Sequence, residues 1–150
     1  MAPGRKIVLP AATVEKSLLD RREYRALTLA NGMRVLLASD PKADQAAAAL
    51  DVHVGHYSDP AEIPGLAHFC EHMLFLGTEK YPEEGALDRF LSKNGGQNNA
   101  FTANGDTTYF FSINQNALEP ALDIFSSFFV APLFTASGYA AAPPPPPPPP

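Results

Sequence analysis

The chain predicts an α+β fold, a mixed, largely antiparallel sheet with helices packed on one face, on three observations. Two Asn-Gly pairs, Asn31-Gly32 and Asn104-Gly105, each lie between short alternating segments, the strongest local signal for a β-hairpin. Between and after the hairpins, apolar residues recur at helical spacing. Glycine and proline punctuate those stretches where helices start and stop.

Taken in order, residues 24–30 and 33–39 form the first expected hairpin. Residues 46–54 read as a third strand with Leu50, Val52 and Val54 on one face and Asp51 and His53 opposite. His53 belongs to the strand surface, since it lacks a second histidine at ligand spacing. Pro64-Gly65 and Gly77 bracket a helix whose Leu66, Phe69, Met73 and Leu76 form an apolar stripe. A second helix runs from Pro82 to Gly95-Gly96, with Leu87, Phe90 and Leu91 inward. Strands at 98–103 and 107–113 make the second hairpin. Asn116 and Glu119, three apart, resemble a capping box that opens a last helix with Leu122, Phe125, Phe128 and Phe129 facing the core. Phe110 and Phe111 are core residues by default.

Composition narrows the function classes. In 150 residues, 45% hydrophobic and 18% charged is the balance of an ordinary globular domain. A net charge of −5 argues against nucleic acid, whose phosphates require clustered Lys and Arg. A single cysteine, Cys70, excludes an internal disulfide framework and is compatible with a reducing compartment. No apolar run approaches 18 residues, so no membrane partner is expected. After Arg5 and Lys6, the run Ile7-Val8-Leu9 is too short for a signal-peptide core and Pro10 ends it. A cytoplasmic chain is the expectation, with organellar import left open.

The chemistry concentrates in His68-Phe69-Cys70-Glu71-His72, an H-x-x-E-H motif. Residues i and i+4 of a helix share a face, so His68 and His72 can hold one Zn2+ between them. Zinc in a catalytic site takes three protein ligands at about 2.0–2.2 Å and lowers the pKa of a bound water to about 7. Glu71, one turn beyond His68, suits a general base for that water. The plainer alternative is a surface helix with Glu71 paired to a protonated His68. Cys70, inside the motif, reads as a buried packing thiol.

The whole stretch Gly65-Leu66-Ala67-His68-Phe69-Cys70-Glu71-His72-Met73-Leu74-Phe75-Leu76-Gly77-Thr78 resembles the active-site helix of the insulysin-like branch of the pitrilysin, or inverzincin, zinc metallopeptidases. The likeness extends upstream through 23–32 and 49–55 and downstream through Asn99-Ala100-Phe101-Thr102 and 128–134. It implies zinc on His68 and His72, Glu71 as the catalytic base, peptide substrates, and Asn99 and Phe101 on a strand bordering the substrate. Read from the residues alone, Asn99 also suits a strand-end amide and Phe101 a packing aromatic.

The resemblance further implies a third zinc ligand, a glutamate roughly seventy-five residues beyond the second histidine. That interval ends within Pro143–Pro150, where the pattern has given way to a proline run. The expected organisation is therefore an N-terminal extension over 1–19, a truncated half of a metallopeptidase N-terminal domain over 20–138, and an Ala/Pro-rich tail over 139–150. Such a fragment, inactive by itself, would need the remainder of the peptidase as partner. The alternative is a non-catalytic protein-binding module with a vestigial metal motif, docking partners through its polyproline tail.

Overall fold

The structure, a computed structural model, describes residues 14–135; the Ala/Pro-rich tail and most of the expected N-terminal extension lie outside the described residues. The chain divides between Ala43 and Asp44 into two compact units.

The first unit holds the expected hairpin, β1 (Glu23–Thr28) against β2 (Arg34–Ser39), in register from Glu23↔Ser39 to Thr28↔Arg34. Its turn differs from the tight two-residue form that Asn-Gly suggests. The Gly32 N–H donates to Leu29 O at 2.9 Å, and the Leu29 N–H donates to Met33 O at 2.9 Å. Of the Asn-Gly pair, only the glycine takes a positive φ. This is the three-residue loop with a bulge, in which the left-handed position follows the turn.

The second unit carries β3 (Gln45–Val52), α1 (Leu66–Leu74), α2 (Ala86–Lys93), β4 (Gln97–Thr102), β5 (Thr107–Asn114) and α3 (Leu118–Ser127). Its strands form one antiparallel sheet in the order β3-β5-β4, with Leu50 and Ala100 both opposite Tyr109. Each strand alternates, so one face of the sheet receives Leu50, Val52, Tyr109, Phe111 and Ile113. Helix α3 lies over β3 and β5, while α1 covers β4 and β5. Leu87 and Leu91 of α2, Ala121, Ile124 and Phe125 of α3, and Phe128 at its C-terminal cap complete the core. The Phe111 and Phe125 rings meet edge to face at 5.2 Å between centroids. An α+β fold with its helices on one sheet face is what the sequence predicts.

Several details depart from the expectation, each for a physical reason. Val54 lies beyond the end of β3 and is exposed. The buried face of α1 is Ala67, Glu71, Met73 and Leu74, while Leu66 is exposed. A glutamate with a hydrogen-bond partner has replaced a hydrocarbon on that face, so hydropathy alone points to a rotated stripe. Leu122 is likewise exposed, one position off the face made by Ala121, Ile124 and Phe125. Asn116 forms no capping box: α3 begins at Leu118 after a 3₁₀ turn over Gln115–Ala117, and its N-cap position, Ala117, has no side-chain cap. Phe111 is 1% exposed, but Phe110 is 38% exposed on the opposite face.

One close approach fixes the ground on which the site stands. The Asn104-Gly105 turn between β4 and β5 has no positive φ, so it is not the mirror-image turn of a tight hairpin. Its outward carbonyls are taken instead by the 3₁₀ turn over His56–Ser58. The His56 N–H donates to Ala103 O at 3.0 Å and the Tyr57 N–H to Asn104 O at 2.8 Å. A Cβ on Gly55 would stand 2.3 Å from Ala103 O and 2.6 Å from Asp106 N, so only glycine lets the two turns meet.

Candidate metal centre and general base

Helix α1 begins at a glycine, and its start is held from outside. Gly65 occupies the N-cap position in the left-handed region, φ 89°, which glycine adopts without steric cost. The orphan N–H groups of the first turn are met by Asp59, whose Oδ2 accepts from Gly65 N at 2.7 Å and whose Oδ1 accepts from Ala67 N at 2.8 Å. Burial pulls the Asp59 carboxyl upward. The Ala67 and Gly65 donors, and His56 with its Nδ1 3.7 Å from Oδ2, outweigh that and hold it below the usual aspartate value.

Asp59 was not singled out by sequence, because six and eight residues separate it from the groups it caps. Replacing it with alanine is expected to cost about 1–2 kcal/mol, seen as a lower urea midpoint at neutral pH. The sign of the pH dependence follows from its depressed folded pKa. Its contribution is complete above the unfolded aspartate value, about 4, and is lost as pH falls through the lower folded value. The difference between wild type and Asp59→Ala should therefore close in acid.

From that fixed start, helical spacing sets the candidate side chains. His68 and His72 project into solvent one turn apart, their rings tilted 49° with centroids 4.7 Å apart. Their Nε2 atoms converge to 3.1 Å. Two nitrogens bound to one tetrahedral zinc stand about 3.3 Å apart, so the pair fits two positions of such a site. Glu71 lies between them in sequence but turns inward and is 6% exposed. Its Oε2 accepts the Thr102 hydroxyl at 2.5 Å, which offsets the cost of burying a carboxylate.

Thr102, at the end of β4, is a second residue that the sequence reading passed over. The Thr107 hydroxyl stands 3.3 Å from it and donates to Val54 O at 2.8 Å. Two threonines facing each other across adjacent strands, Thr102↔Thr107, were the available signal.

The other expected site residues stand apart from this cluster. Asn99 and Phe101 alternate with Thr102 on β4 and so face the open side of the sheet, away from α1. Phe101 is 51% exposed, not a packing aromatic, and its ring meets Phe110 at 6.4 Å. The Asn99 side chain accepts from Ala100 N at 2.9 Å. Cys70 is exposed rather than buried, because it falls on the solvent side of α1, and partial enclosure raises its thiol pKa. His53 is exposed just past β3. Asp123 is held by Lys80 at 2.7 Å and by the Tyr81 hydroxyl, away from the histidines. Among the described residues, no three His, Cys, Asp or Glu side chains converge as a metal-holding group. Nor is any described helix long and apolar enough to cross a membrane.

Comparison with known proteins places the chain in a family. Residues 34–142 match Insulinase (Peptidase family M16). The chain is 57% identical over 124 residues to the insulin-degrading enzyme of Mus musculus, covering 83% of this chain and 12% of that protein. It is 55% identical over 116 residues to the A-factor-processing enzyme of Saccharomyces cerevisiae, covering 77% and 11%. Among solved structures, pitrilysin superposes with a TM-score of 0.83 at 41% identity, covering 86% of this chain and 14% of that one. The chain thus spans about an eighth of the length of the relatives it matches. On the match over most of its length and the shared fold, this chain belongs to the insulinase family, peptidase family M16.

Proposed function

We propose that the chain is the zinc-motif segment of a metalloendopeptidase, with His68 and His72 as two metal ligands and Glu71 as general base. The convergence of the two Nε2 atoms to 3.1 Å, beside a carboxylate held on the same helix, carries this reading. Bound zinc would supply a water acidified towards neutral pH and a Lewis acid for the scissile carbonyl. With Oε2 bound by Thr102, Glu71 has Oε1 left to take a proton from attacking water and pass it to the leaving amine.

The substrate side of the proposal rests on β4. It is an edge strand, so its outer main-chain groups are available to an extended peptide added as a further strand. Asn99 and Phe101 would contact that peptide, Phe101 through its exposed ring. The third ligand and the rest of a closed cavity would come from polypeptide beyond the described residues. The single cysteine supports a reducing, cytoplasmic setting.

Zinc titration of the chain against a chromogenic chelator tests the metal assignment. Binding should be weaker than that of a three-ligand site, and His68→Ala or His72→Ala should each weaken it by at least about tenfold. Affinity unchanged in both variants would refute it.

A further inference from the structure

The buried placement of Glu71 raises a question of coordination chemistry. Side chains three apart on a helix are neighbours, and Glu71 stands three residues after His68 and adjacent to His72. A carboxylate so placed is an available oxygen ligand for zinc. Yet it is not grouped with the histidines, because it turns inward to β4.

We propose that the Thr102 hydroxyl is a positioning residue that holds Glu71 off the metal and so keeps it a base instead of a ligand. The inference rests on the zinc reading given above. The proton count supports it. A carboxylate only accepts, so the short contact at 2.5 Å must be Thr102 donating to Oε2. The neighbouring Thr107 hydroxyl donates to Val54 O at 2.8 Å and stands 3.3 Å from Thr102, a far longer contact than the 2.5 Å one to Oε2, so the Thr102 proton goes to the carboxylate. The anchor itself is rigid: Thr102 is the last residue of β4, paired with Thr107, and the turn that follows is fastened by the His56 and Tyr57 N–H groups. A charge-assisted bond from a fixed strand thus opposes rotation of Glu71 towards the histidines.

The consequence has an unusual sign. Loss of an outer-shell partner ordinarily weakens metal binding by about 10–100-fold. Here, Thr102→Val keeps the shape of the side chain, releases Glu71, and should tighten zinc binding by the full 150-residue chain by at least about tenfold, as a third protein ligand is gained. Thr102→Ser retains the hydroxyl and should bind as wild type does. The double variant Thr102→Val with Glu71→Gln should lose the gain. These affinities are read by chelator competition with zinc alone, beside thermal melts that show each variant folded.

Unchanged or weaker binding by folded Thr102→Val would overturn the proposal. Should that variant fail to fold, carbon NMR of the Glu71 carboxyl in the unmutated chain decides: no ligation shift at saturating zinc is expected, and a ligation shift overturns it. Affinity that ignores both His68→Ala and His72→Ala would instead show that the zinc reading has failed, and this inference with it.

Discussion

Peptide hydrolysis by the 150-residue chain with added zinc is expected to stay at the background rate. The corresponding longer polypeptide, carrying the third ligand and the later domains, should cleave and lose about 10²–10⁴ of its rate on Glu71→Gln. Among the described residues two imidazoles converge but no third ligand joins them. A metal with two protein ligands is free to shift, and displacement of about 1 Å can cost about a hundredfold. Groups that stabilise the developing oxyanion, and walls that exclude bulk water, act only in a closed site. Glutamine keeps the size of Glu71 and can still accept from Thr102, so the substitution removes basicity with little change of fold. A quenched fluorescent peptide provides the assay. Zinc-dependent turnover by the 150-residue chain that vanishes in Glu71→Gln would sink this expectation.

The second large effect contrasts two adjacent phenylalanines. Phe111→Ala should destabilise by about 3–5 kcal/mol, because the ring is enclosed by α3 and its loss leaves a cavity that the core only partly refills. Phe110→Ala should cost about 0.5–1 kcal/mol, since its ring faces outward and, among the described residues, meets the Phe101 ring at 6.4 Å. Urea midpoints of the two variants measure the difference. Equal losses would mean that the face bearing Phe110 is covered in solution.

That pair also marks how far the sequence could be read. Strand positions and hairpins were legible, because alternation and Asn-Gly pairs are local signals, and the sheet forms where they lie. Which of two successive aromatics points inward was not, because it depends on register against β3 and β4, a non-local fact. That His68 and His72 meet on one face of α1 was legible from spacing alone. Their supports were not. Asp59 reaches α1 across a loop, and Thr102 comes from a strand 31 residues away from Glu71. The buried face of α1 was misread for the same reason, since a glutamate looks polar until its partner is known. The turn at Asn104-Gly105 differed because the carbonyls of Ala103 and Asn104 serve a neighbouring segment.

The Asp59 clamp means that the H-x-x-E-H helix is not a portable part. Transplanting residues 65–77 into another scaffold would carry the imidazoles and the carboxylate but leave behind the aspartate that sets where the helix begins, and with it the phase of every side chain after Gly65. A workable graft must include the loop from Gly55 onward. That loop in turn is shaped by the turn between β4 and β5, which also delivers Thr102. The smallest transferable unit is therefore a strand pair with its docked loop and helix, and protein engineers copying this two-histidine arrangement would need about sixty residues, from Val54 to Asn114, rather than five.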